Sequence, residues 1–236
     1  MSRNALLGIA AAAAMSASPV SAGEYTLFTT LCLPDIQRES PAGCLGRALL
    51  NVPAGWQLGS SAVALLTAAS VPDAPRDPLV AALLSANVAV LEVVPATLAH
   101  VDEAAPDQPV EPVTGMLAAL LALKHGTGAG TVVAIGLGRG AHAAIDAASE
   151  REAARRLDGR AERYAAAMAL HEGPAAYALG GGETNQFRLA VICEALAHAA
   201  GTPVTAAEPL VWADDCYAAL VGRARPGLPA TARLPR

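Results

Sequence analysis

Residues 131–144 read TVVAIGLGRGAHAA, and this stretch decides the fold. Its first five residues are apolar or β-branched, which favours a buried strand. Glycines follow at positions 136, 138 and 140, and an alanine-rich run typical of a helix begins at Ala141. The stretch therefore predicts a strand, a sharp glycine turn and a helix, in that order.

Further strands and helices alternate with this unit along the chain. The sequence predicts early strands at 24–33 and 47–52, buried strands at 62–67, 87–94 and 164–170, and short strands at 202–204 and 210–212. It predicts helices at 79–86, 113–125, 141–149, 187–200 and 215–223, with a solvated helical face at 150–163. Apolar strands that alternate with helices indicate an α/β fold, with a doubly wound, mostly parallel sheet and helices on both faces.

The bulk composition limits the domain count and the class of partner. A chain of 236 residues, 53% of them hydrophobic, is long enough for one α/β domain, which we expect at 23–225, with a loose C-terminal tail at 226–236. The formal net charge is −5, and no basic cluster occurs. These features exclude nucleic acid as an expected partner.

The N-terminus predicts export. Arg3 precedes a short apolar run at 5–15, and small residues then lead to a cleavage site near Ala22. We therefore expect residues 1–22 to be a signal peptide and the mature chain to begin near Gly23, in the periplasm or outside the cell. No later apolar run reaches the ~18 residues of a membrane span. The alternative is an alanine-rich helix that belongs to the mature protein.

Cysteine usage agrees with export. The four cysteines are Cys32, Cys44, Cys193 and Cys216, and an even number in an exported chain suggests disulfides. Three pairings are possible, of which Cys32–Cys44 with Cys193–Cys216 closes short loops and is preferred. The alternative is four buried thiols. No histidine lies at zinc-ligand spacing from either pair, so we expect no metal site.

The glycine turn carries a resemblance to a known family. Residues 136–140, which we call the elbow, overlay the G-x-S-x-G motif with Gly138 at the serine position. Together with the strands before it, the region from about Ala62 to Ala148 resembles the α/β-hydrolase fold, and most nearly the dienelactone-hydrolase-like branch. The resemblance implies a three-layer sandwich and an order of nucleophile, Asp and His along the chain.

The sequence departs from that pattern at two points. Gly138 has no side chain that can attack a carbonyl, and no histidine follows Asp214 or Asp215, which loosely match the acid-bearing loop. The backbone N–H of Arg139, at a helix N-terminus, would still point toward the place of an oxyanion or a carboxylate. The resemblance therefore implies a hydrolase-like fold with impaired catalysis.

The same glycines also match a dinucleotide-binding pattern. Gly136-x-Gly138-x-x-Ala141 satisfies G-x-G-x-x-G/A between a strand and a helix. The acid that this pattern requires would be Glu172, which lies 31 residues beyond Ala141 and not the usual ~20. Two buried strands also precede the motif, whereas the fingerprint normally lies on the first strand. A third interpretation is architectural, because a tight strand-to-helix connection needs glycine.

Several other polar residues are candidates for the site. His171 and Glu172 follow a predicted strand at the sheet edge where ligands bind. They act there as a base or a binding pair, or they are simply an exposed pair of loop residues. His142 opens the elbow helix and either faces the crevice or packs beneath the loop. Asp214 and Asp215 are either a remnant of the acid loop or, for Asp214, a helix N-cap.

The leading hypothesis is an exported hydrolase-like protein that lacks the usual nucleophile and binds a small acidic or ester-like ligand at the elbow. Arg139 would supply a guanidinium fork for a carboxylate, or it is an ordinary surface arginine. The ligand-binding candidates are Gly136, Gly138, Arg139, Gly140 and His142. No cofactor is expected. The alternatives are an active ester or lactone hydrolase that uses Ser70 or Thr67, and a non-catalytic interaction domain.

Overall fold

The fold is given by a computed structural model. The structure describes residues 27–36, 44–67, 76–94, 110–138, 141–170, 175–201 and 216–221. The predicted signal peptide, both predicted domain boundaries and the short strands predicted at 202–204 and 210–212 lie outside these residues.

A mixed sheet forms the middle layer. Within the described residues it has seven strands in the order β1-β2-β4-β3-β5-β6-β7. Their bounds are β1 Leu27–Pro34, β2 Cys44–Val52, β3 Ser61–Leu66, β4 Ala89–Val93, β5 Thr131–Leu137, β6 Ala166–Leu170 and β7 Ala176–Leu179. Strands β4, β3, β5 and β6 pair in parallel, whereas β1, β2 and β7 pair antiparallel with their neighbours.

The central strands are buried on both faces, which explains why they are apolar at nearly every position. Every residue of β3, β4, β5 and β6 is buried. Such burial requires a helical layer on each side of the sheet, because βα crossovers cover both faces of a parallel sheet. The predicted doubly wound, mostly parallel α/β architecture is confirmed.

Helices form the two outer layers. Helix α2 (Pro112–Leu121) and helix α3 (His142–Ala148) belong to one side, where their apolar residues pack in the same core as Ala64 and Ala134. On the other side, α1 (Arg76–Ser85) and α5 (Gln186–Gly201) pack in the core that contains Leu65 and Ile135. A short helix, α4 (Glu150–Arg156), follows α3. The result is a three-layer sandwich.

Three elements differ from the sequence-based prediction. The helix predicted at 113–125 ends as an α-helix at Leu121 and continues as a π-helix over Ala122–Thr127, which we call the first π-helix. A second π-helix, Tyr217–Val221, lies within the helix predicted at 215–223. Strand β7 is not predicted by the sequence. It lies at the sheet edge, half-buried, and Ala-Tyr-Ala-Leu lacks the β-branched residues that indicate strands.

Tyr164 joins the sheet to α2. Tyr164 precedes β6 in the chain, and its side chain is fully buried. Its hydroxyl donates a hydrogen bond to the backbone oxygen of Met116. Burial raises the pKa of the Tyr164 phenol well above its usual value, so the group remains a hydrogen-bond donor.

The cysteines form the preferred pairs. Cys32 at the end of β1 is bonded to Cys44 at the start of β2, and Cys193 in α5 is bonded to Cys216 before the second π-helix. The Cα atoms are 5.6 Å apart in both pairs. The second disulfide lies in the apolar core, since Cys193 and Cys216 are both buried. No helix in the described part of the chain is long and apolar enough to cross a membrane.

Removal of the buried disulfide should destabilise the protein. Cys193 and Cys216 are 23 residues apart in sequence. Replacing both with alanine frees this loop in the unfolded chain and should lower the free energy of unfolding by about 3 kcal/mol. Urea unfolding followed by circular dichroism measures the difference, with the Cys32→Ala/Cys44→Ala variant for comparison because its loop is shorter. Unchanged stability would contradict the pairing.

Candidate functional site

The candidate site lies at the carboxyl edge of the parallel strands. Ligands of open α/β sheets bind at this edge, where the loops after the strands converge. Thr67 follows β3 here, Val94 follows β4, Gly138 follows β5, and β6 ends at Leu170. The chain segments that continue from Thr67, Val94, Gly138 and Leu170 lie outside the described residues.

Gly138 forms the sharp turn that the sequence predicts. Its φ is +59°, in the left-handed region that favours glycine. The Gly138 amide donates a hydrogen bond of 2.9 Å to the backbone oxygen of Leu170, and the Gly138 carbonyl accepts one of 3.2 Å from Ala141. Helix α3 begins at the next residue, His142. Strand, turn and helix thus occur in the predicted order.

Gly136 has a structural role in this turn. A Cβ atom at Gly136 would lie 2.5 Å from the Ala141 backbone oxygen and 2.6 Å from its Cα. Because backbone atoms cannot move away as a flexible side chain can, only glycine fits at this position. Gly136 was predicted among the ligand-binding residues, but it is buried within β5 and packs against Ala141.

The hydrogen bonds of the turn limit which amides are available to a ligand. The N–H groups of Gly138 and Ala141 already bond to backbone oxygens. The free amides of the elbow would therefore have to come from Arg139 and Gly140, which lie outside the described residues. His142 is exposed in the first turn of α3.

Most of the other predicted site residues lie in segments that the structure does not describe. Arg139, Gly140, His171, Glu172, Asp214, Asp215 and Ser70 lie outside the described residues. Thr67 is described and lies at the end of β3, next to β5 in the sheet. Its side chain is buried, with 5% of the residue exposed, and its amide donates to the Val93 carbonyl. A buried hydroxyl is poorly placed to attack a substrate.

A buried charged network lies beside this edge, and the sequence-based reasoning missed it. Glu92 of β4 is 6% exposed, and one of its carboxylate oxygens, Oε2, accepts a 2.7 Å hydrogen bond from Nε of Arg76, at the start of α1. Its other oxygen, Oε1, accepts a hydrogen bond of 2.8 Å from the Asn51 side chain. Glu92 was detectable in sequence as an acid inside an otherwise apolar strand.

Arg76 is already neutralised by neighbouring acids. It also pairs with Asp77, at 2.5 Å. Burial lowers the pKa of the Arg76 guanidinium, but the hydrogen bonds and charge of Glu92 and then Asp77 outweigh burial and raise it overall. A cation held by two carboxylates is a structural ion pair and a poor receptor for a further anion. Among the described residues, no group of His, Cys, Asp and Glu is arranged to hold a metal ion.

The comparisons with known proteins return structural likeness alone. No protein-family model and no curated protein matches the chain. The esterase domain of a Rhodothermus marinus protein matches with a TM-score of 0.35 and 18% identity, over 52% of this chain and 45% of that one. Brefeldin A esterase, a bacterial homologue of human hormone-sensitive lipase, matches with a TM-score of 0.38 and 17% identity, over 60% and 39%.

A glucuronoyl esterase from Teredinibacter turnerae has a TM-score of 0.33 and 14% identity, over 52% of this chain and 37% of that one. The chain thus spans less than half the length of each of these three structures.

The contact at Gly136 predicts a large effect of adding one methyl group. Gly136→Ala should lower the free energy of unfolding by about 3 kcal/mol, because the new Cβ overlaps the Ala141 backbone. Gly159→Ala is the matched control, since Gly159 has a φ of +76° but no atom within 4 Å of the added Cβ. It should cost only the backbone strain of about 1 kcal/mol. Equal losses in urea unfolding would disprove the packing role of Gly136.

The Glu92 network predicts a second stability difference. Arg76→Gln leaves the buried Glu92 carboxylate without its cation and should lower the free energy of unfolding by about 2–3 kcal/mol. Arg151→Gln, at an exposed arginine of α4, should change it by less than about 0.5 kcal/mol. Thermal and urea unfolding of the two variants test this difference, and a neutral Arg76→Gln would contradict it.

Proposed function

We propose that this chain is an exported α/β-hydrolase-like protein, resembling dienelactone hydrolases, that lacks the usual nucleophile and binds a small carboxylate at the elbow. The observation that carries the proposal is the left-handed turn at Gly138, directly after a central parallel strand. A nucleophile elbow has this sharp strand-to-helix geometry. Here the residue at the turn has no side chain.

The backbone of the turn supports ligand binding without catalysis. In an elbow, the amide of the residue after the nucleophile contributes to the oxyanion hole, and that residue here is Arg139. The Gly138 and Ala141 amides are engaged within the turn, so the proposal assigns the anion to the amides of Arg139 and Gly140. The Arg139 guanidinium would add a second, charged donor to a ligand carboxylate.

The same hydrogen bonds weigh against a dinucleotide. A pyrophosphate in a glycine-rich turn is bound by amides of the turn and of the helix that follows it. Two of these amides bond to protein oxygens here. The turn also follows β5, after the parallel strands β3 and β4, whereas the dinucleotide fingerprint normally follows the first strand of its βαβ unit.

Activity and binding assays test the proposal together. The purified chain should not hydrolyse p-nitrophenyl esters or a dienelactone above the background rate, because no side chain at Gly138 can form an acyl-enzyme. It should bind succinate more tightly than the neutral succinamide. Arg139→Gln should reduce succinate affinity about tenfold, since a charge-assisted pair is lost. Calorimetry or ligand-observed NMR measures the affinity.

The controls separate this proposal from a working hydrolase. Arg151→Gln removes an exposed arginine elsewhere and should leave succinate binding unchanged. Hydrolysis that Gly138→Ser does not alter, together with labelling of Ser70 or Thr67 by a fluorophosphonate probe, would refute nucleophile loss and favour an active enzyme. Absence of succinate binding with no effect of Arg139→Gln would favour an interaction domain without a ligand.

A further inference from the structure

A cavity of about 230 Å³ opens between β1 and the first π-helix, away from the elbow. Its walls include Leu31 and Pro34 from the strand, Leu121 at the end of α2, and Ala122 and Gly126 from the first π-helix. Leu31 closely approaches the helix, because a Cβ added at Gly126 would lie 3.3 Å from its Cδ1. The walls are therefore largely apolar.

Two basic side chains border this cavity, and they differ in their partners. His125 has its Nε2 atom 2.7 Å from Oε1 of Glu162, so its imidazole already has an acidic partner. Arg160 is exposed, and its guanidinium makes no hydrogen bond or ion pair with any residue that the structure describes. Arg156 and Arg163, in the same segment, both pair with glutamates. Arg160 is thus an available cation at the edge of an apolar space.

We propose that this cavity binds a small carboxylate with an apolar body, such as an aryl or short branched-chain acid. The apolar part would lie against Leu31 and Ala122, and the carboxylate would receive hydrogen bonds from Arg160. An apolar cavity of ~150 Å³ accommodates benzene, so this larger one has room for a ring with a short chain. Single π-turns such as the one that lines it frequently occur at functional sites.

This site is distinct from the carboxylate site of the proposed function. In the sheet order, β1 lies four positions from β5, which places them roughly 19 Å apart at ~4.8 Å per strand. The first π-helix also precedes the amino end of β5, whereas Gly138 follows its carboxyl end. Variants at the two sites therefore test the two proposals separately.

A pair of matched ligands tests the proposal on the purified, disulfide-bonded chain. NMR titration should show saturable binding of 3-phenylpropanoate, with a Kd on the order of 1 mM as expected for so small a ligand. The uncharged 3-phenylpropan-1-ol should bind about tenfold more weakly, because it lacks the charge that Arg160 recognises. Arg160→Gln should lower the affinity of the acid to that of the alcohol, and Arg151→Gln should leave it unchanged.

Further variants locate the bound acid. Ala122→Leu should abolish binding by filling the cavity, and Arg139→Gln should have no effect. If Ala122→Leu does not fold, the affinities of Arg160→Gln for the acid and of the unaltered chain for the alcohol still test the proposal, because a surface substitution leaves the core intact. The proposal is overturned by equal affinities for acid and alcohol, by no saturable binding at roughly 10 mM, or by loss of binding in Arg139→Gln alone. The last result would indicate that the acid binds at the elbow and not in this cavity.

Discussion

The close contact between Gly136 of β5 and Ala141 is the constraint on which the surrounding architecture depends. Gly136 pairs in register with Leu66 of β3 and Ala169 of β6, so it cannot move without shifting the middle of the sheet. The chain must therefore reverse sharply at Gly138 to bring α3 against that face. Packing alone requires glycine at position 136, which is the first glycine of both the G-x-S-x-G and the G-x-G-x-x-G/A motifs. A match to either motif therefore reflects the backbone geometry before it indicates a function.

Glycine at the turn also changes its energetics. An L-residue at φ +59° would carry roughly 1–2 kcal/mol of strain, which an enzyme maintains for the sake of its nucleophile. Gly138 adopts the same conformation at little cost. On the proposed function, the turn keeps its shape and its amides while the strain and the reactive atom are both absent. A site that binds through backbone N–H groups needs only the shape.

The sequence predicts the interior of the fold better than its edges, for a physical reason. Strands β3 to β6 are buried on both faces, so they are apolar at nearly every position and can be recognised in the sequence, with Glu92 of β4 as the charged exception. Strand β7 depends on a tertiary contact: Gly180 and Gly182 pass so close to the Tyr164 backbone that an added Cβ would meet its oxygen. The first π-helix cannot be recognised in the sequence either, but for a different reason. Leu117, Leu120 and Leu121 indicate a helix, but their spacing does not reveal a wider turn that begins at Ala122.

Long-range pairing decides which candidate site residues share a crevice. The hydrogen bond from Gly138 to Leu170 shows that β5 and β6 end side by side, so the chain leaves the sheet from adjacent positions toward Arg139 and toward His171. The disulfide from Cys193 to Cys216 ties the residue after Asp215 to α5, on the opposite side of the sheet from α3. On the proposed function, the ends of β5 and β6 are therefore the neighbouring positions from which contacts to an anion would come.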